Sequence, residues 1–117
     1  MATSYYKKQE TYTLKTKTAD ILISAESGNG EGGSYVIFKG QKLLGANETI
    51  NAGTADSCDG KIIKIIATIQ DKLPQTNWTN LTVTITENGV KTSYDYAEEL
   101  PADLDTACYI IKITMQK

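Results

Sequence analysis

Apolar and polar residues alternate with a period of two along most of this chain, the signature of half-buried β-strands. From residue 78 to 87 the alternation is unbroken. Leu81, Val83 and Ile85 fall on one face, and Thr82, Thr84 and Thr86 on the other. Asn88-Gly89 follows, a pair that tolerates positive φ at both positions and so predicts a two-residue hairpin turn of type I′. A returning strand is expected over 90–96. The other strands predicted by the pattern are 9–16 (Tyr12 and Leu14 inward), 20–26 (Ile21, Ile23 and Ala25), 34–39, a short one at 42–44, 61–70, and 108–116 (Tyr109, Ile111, Ile113 and Met115). The segment 61–70 carries Ile63, Ile65, Ala67 and Ile69 in one phase and Ile62 and Ile66 in the other, so a central strand partly buried on both sides is expected.

Between these strands the polar stretch 45–60 has Ile50 as its sole large apolar residue and reads as a long loop. The run 27–33 is glycine-rich. It lacks the Gly-Lys-Ser/Thr ending and the following helix of a phosphate loop, so it reads as a connection. The acidic stretch 97–107 reads as a loop with one helical turn after Pro101. About eight strands with antiparallel neighbours, and no amphipathic helix, predict an all-β fold: a single antiparallel β-sandwich over residues 1–117, immunoglobulin-like or C2-like in pattern. A small β-barrel is the alternative.

If each strand from Lys61 onward reverses direction, the loops sort to two ends. The loops 71–77 and 97–107 share one end, here the far end. Gly60 and Asn88-Gly89 share the near end. Cys58 then sits near and Cys108 far. A ten-residue strand spans roughly 33 Å, and a disulfide needs Cα atoms within about 7 Å, so free thiols are expected. The far end gathers Trp78, Tyr94 and Tyr96 with Asn77, Gln75 and Asp95. Loops grouped at one end of a sandwich are where such folds place binding sites.

Composition removes whole classes of chemistry. The chain has no histidine, and all twelve of its cationic side chains are lysine. Histidine-based nucleophilic catalysis, histidine-ligated metal and bidentate arginine recognition of phosphate are therefore excluded. A net charge of -2 with scattered lysines argues against a nucleic acid partner. No apolar run approaches the ~18–20 residues of a transmembrane helix. The first residues lack the apolar core of a signal peptide, so a cytoplasmic location is expected if the N-terminus is native, and a secreted one if a signal was removed.

The expected function is accordingly a non-catalytic binding module, bacterial in character, that engages a protein partner or associates with itself. Enzyme activity and a resident cofactor are not expected. Two other readings compete. Trp78 either caps the core or, with Tyr94 and Tyr96, forms an exposed stacking surface beside amides and carboxylates. The second arrangement suits carbohydrate as well as protein. Asp71, Asp103 and Asp105 could supply the oxygens of a calcium site.

Overall fold

The structure, a computed structural model, describes residues 2–28, 33–70, 77–102 and 105–117. It is an all-β sandwich. Nine strands form two sheets packed face to face, with no closed barrel among the described residues. In chain order they are β1 (Thr3–Thr13), β2 (Asp20–Ser27), β3 (Gly33–Lys39), β4 (Lys42–Ala46), β5 (Ile50–Thr54), β6 (Ile62–Gln70), β7 (Trp78–Glu87), β8 (Val90–Glu99) and β9 (Thr106–Gln116). One helical turn, α1 (Ala55–Cys58), follows β5. The five-stranded sheet has the order β1-β9-β6-β3-β4, and the four-stranded sheet β5-β2-β7-β8.

Period-two alternation supplies the core directly. Ile63, Ile65 and Ile69 from β6, Leu81, Val83 and Ile85 from β7, and Tyr109, Ile111 and Ile113 from β9 are all buried between the sheets. Ile21 and Ile23 of β2 and Ile37 of β3 join the same cluster. The Asn88-Gly89 turn has positive φ at both residues, 52° and 77°, as a type I′ hairpin requires.

Four features depart from the sequence pattern. First, β1 starts at Thr3 rather than near Gln9, and it pairs in parallel with β9. The chain's first strand thus lies along its last, and this neighbour pair is not antiparallel. Secondly, the stretch 45–60 contains a strand and a helical turn. Ile50 and Ala52 of β5 are buried in phase against β2, and Ala55 and Cys58 of α1 are buried behind them. Apart from Ile50, small side chains carry that burial and leave almost no hydropathy signal. Thirdly, β8 runs on to Glu99, so part of the acidic stretch is strand. Fourthly, no layer among the described residues covers the outer side of β6. Ile62 is 46% exposed there.

The grouping of loops into two ends holds for the described residues. At the far end Leu100 N–H donates to the Asn77 carbonyl at 2.7 Å, and Thr106 N–H to the Ala2 carbonyl at 2.9 Å. Cys58 lies at the near end, where its thiol approaches the Ala52 carbonyl. Cys108 pairs across to Thr68 of β6 and Tyr5 of β1 at the far half. Both cysteines are buried and free. Residues 29–32 of the glycine-rich run lie outside the described residues.

Candidate functional site

The β7–β8 register decides where the expected aromatic residues go. Trp78 stands opposite Glu99, Leu81 opposite Tyr96, and Val83 opposite Tyr94. Directly paired residues share a face, and successive residues alternate. Leu81 and Val83 are buried, so Tyr94 and Tyr96 point inward, toward the other sheet. Trp78 points outward and is 45% exposed. The three rings therefore do not form one surface. Trp78 shares its face with Asn80 and Thr82, and with Asp95, Ala97 and Glu99 of β8. Asp95 accepts a hydrogen bond from Thr82 Oγ1 at 2.7 Å. Asn77 precedes the strand, and its carbonyl holds Leu100. Gln75, Asp71 and Asp103 lie outside the described residues.

Tyr94 and Tyr96 instead help close the side of the sandwich where β1 and β8 face each other. The Tyr96 hydroxyl donates to Glu10 Oε2 at 2.7 Å. Burial pushes the Tyr96 hydroxyl pKa up, and the Glu10 carboxylate pushes it further. The Tyr6 hydroxyl reaches the Glu99 carbonyl, and Lys8 Nζ lies 3.4 Å from Glu98. Tyr6 and Tyr109 pack ring to ring with centroids 5.5 Å apart. Tyr109, fully buried, shares a 2.8 Å hydroxyl contact with Thr79. These are seams between the two sheets.

Asp105, expected among calcium ligands, is buried, and its Oδ1 accepts the Ala2 amide at 2.9 Å. That contact fixes the start of β1 beside β9. Among the described residues no three His, Cys, Asp or Glu side chains cluster as metal ligands. Lys39 and Ser57, 3.0 Å apart at the near end, have the residue types of a serine–lysine pair. The Lys39 ammonium also donates to the Ala52 carbonyl at 2.8 Å, and Ser57 Oγ donates to the Thr54 carbonyl. The geometry is that of a capped helical turn. No helix among the described residues is long and apolar enough to cross a membrane.

The surface that stands out is the outer face of the five-stranded sheet. Four rows cross it. One is Tyr5, Cys108, Thr68 and Ser34. The next is Lys7, Ile110, Ile66, Val36 and Ala46. Then come Gln9, Lys112, Lys64, Phe38 and Leu43, and finally Thr11, Thr114 and Ile62. Three of the five exposed large apolar residues of the chain's described part lie here: Tyr5, Leu43 and Ile62, 66%, 55% and 46% exposed. The rows contain three lysines and no carboxylate. Lys64 and Lys112 stand directly opposite each other, a like-charge pairing that costs stability in a sheet. The Lys64 ammonium lies over the ring of Phe38, 5.1 Å from its centroid.

The sequence does hold a signal for this face. Tyr-Val-Ile-Phe in β3, Ile-Ile-Lys-Ile-Ile in β6 and Tyr-Ile-Ile-Lys-Ile in β9 break strict alternation and put large apolar residues on both sides. The buried face satisfies one set, and the other remains on the surface.

No protein-family model matches this chain, and no curated protein or solved structure is detectably similar to it.

Proposed function

We propose that this chain is a non-catalytic binding module that engages a protein surface through the outer face of its five-stranded sheet. The observation that supports it is the face itself. A sandwich ordinarily turns polar side chains outward from its sheets. Here isoleucine, valine, phenylalanine and tyrosine occupy outward positions in four adjoining strands, and lysines are the only charges in their rows. Exposed apolar side chains gathered on one face mark interaction sites. Apolar side chains would supply the area buried on binding. The lysines would orient an acidic partner and speed its approach.

A photo-crosslinking residue at Ile62 tests this in the cells that make the protein. A discrete cross-linked species is expected from Ile62 and not from Val90, which is also apolar and exposed but sits at the hairpin. Identical behaviour at the two positions would refute the reading.

A second reading is favoured by one observation, the exposure of Trp78 beside Asn80 and Glu99. An aromatic ring flanked by an amide and a carboxylate suits carbohydrate. Trp78 is the only tryptophan, so quenching of its fluorescence by added sugars reads this directly. No change across a set of mono- and oligosaccharides removes it.

A further inference from the structure

The two outer faces of the sandwich carry opposite charge. The face of the five-stranded sheet holds Lys7, Lys64 and Lys112 with no carboxylate in its rows. The rows of the four-stranded sheet's outer face hold Glu26, Asp95 and Glu99 against a single lysine, Lys91. That second face also exposes Trp78, and its middle is a ladder of Thr82, Thr84 and Thr86. The chain therefore presents a basic apolar surface on one side and its electrostatic complement on the other.

We infer that the partner of the basic face is a second copy of this chain, which docks on it with the acidic, tryptophan-bearing face. This rests on the protein-binding reading above and names the occupant. Pairing two basic faces symmetrically would bring six lysines together with no counter-charge in the rows, and like charges across an interface oppose binding. Basic on acidic instead offers three carboxylates to the three lysines. It also relieves the Lys64–Lys112 repulsion, which has no carboxylate beside it in the rows of the single domain. Lysine over the face of Trp78 adds a cation–π contact, for which tryptophan is the best ring. Such a contact is heterologous, so every copy added leaves one face of each kind exposed. Assembly grows into a ring or filament rather than stopping at a twofold dimer.

Two variants separate this geometry from its rivals. Lys7→Glu with Lys64→Glu turns the basic face net negative and leaves the acidic face intact. Asp95→Lys with Glu99→Lys turns the acidic face positive and leaves the basic face intact. All four positions are exposed or half-exposed strand sites, and circular dichroism melting confirms that each variant folds. Lys112→Glu and Glu26→Lys are replacements should one fail. Sedimentation velocity of the unaltered protein over a wide concentration range should show mass rising with concentration, and falling as salt is raised. Each variant alone should sediment as a single chain. Their equimolar mixture should associate again, because the intact acidic face of one meets the intact basic face of the other and the two reversed faces are themselves of opposite sign. If the Asp95→Lys, Glu99→Lys variant still self-associates, the basic face does not use the acidic one and the inference is overturned. It is equally overturned if the unaltered protein stays a single chain up to millimolar concentration. A cross-link from Ile62 to a different protein in that case would leave the binding-module reading standing.

Discussion

Glu87 offers the most demanding test of the fold. It takes the last inward position of β7, in phase with Leu81, Val83 and Ile85, and is only 2% exposed. Its Oε1 accepts from the Tyr12 hydroxyl at 2.8 Å. Its Oε2 accepts from the Lys15 and Thr16 amides at 3.0 and 2.8 Å, and from Thr16 Oγ1 at 2.7 Å. One carboxylate thus joins the end of the four-stranded sheet to the chain leaving β1. Hydrogen bonds to a charged acceptor are each worth about 1.5–3 kcal/mol. They do not simply add, because the Lys15 and Thr16 amides stand at the margin, where water can replace the carboxylate, whereas the Tyr12 hydroxyl is buried. Glu87→Ala is therefore expected to cost about 3–4 kcal/mol, a large share of a domain stability of about 5–15 kcal/mol. Glu87→Gln should cost about 1–2 kcal/mol, since its carbonyl keeps the Thr16 donors and the tyrosine hydroxyl can turn to accept from the amide.

Acid should narrow that difference. Burial alone pushes the Glu87 carboxyl up, but the Thr16 and Tyr12 hydroxyls and the two amides outweigh it and hold the group below its ordinary value of 4.5. With the folded pKa depressed, the ionised carboxylate stabilises the fold fully above 4.5. That contribution is lost as pH falls through the folded value. Urea denaturation of the unaltered protein and Glu87→Gln near pH 7 and at about pH 3 measures the gap at each. It should be constant down to the ordinary carboxylate range and shrink below it. A gap that is independent of pH, or that widens in acid, would refute the assignment of this carboxylate as an ionised anchor.

Three further outcomes follow from the same geometry. Ile65→Ala and Ile111→Ala, at fully buried and directly paired positions, should each cost roughly 2–5 kcal/mol in chemical denaturation; a cost under about 1 kcal/mol at both would show the strand faces to be misassigned. Trp78→Ala should shift stability by no more than about 1 kcal/mol while removing any sugar response, since about half of the side chain already faces water; unfolding on substitution would place Trp78 in the core instead. Cys58 and Cys108 should resist a thiol reagent in the folded protein and both react on unfolding without prior reduction, and mass spectrometry that found a disulfide between them would contradict their placement.

Much of the fold is legible in the chain alone because a strand's period is two. Once Leu81, Val83 and Ile85 share a face, the inward set of β7 is decided, and the same holds for β2, β6 and β9. Asn88-Gly89 declares its turn because two successive positive-φ residues are costly for most side chains. The lack of histidine and arginine bounds the chemistry through composition alone. What the chain does not declare is whatever depends on which strands become neighbours. Ile50 and Ala52 become a strand only because β2 offers them an edge. The parallel pairing of β1 with β9 joins residues about a hundred positions apart, through backbone bonds that carry no side-chain signature. Trp78, Tyr94 and Tyr96 are equally aromatic in sequence. Only the hairpin register sends one outward and two inward. The second isoleucine phase of β6 reads as burial on both sides when taken alone, yet no further layer among the described residues covers that face. Sequence determined which residues are apolar and with what period. The order of strands within two sheets decided which of those residues meet each other and which meet water.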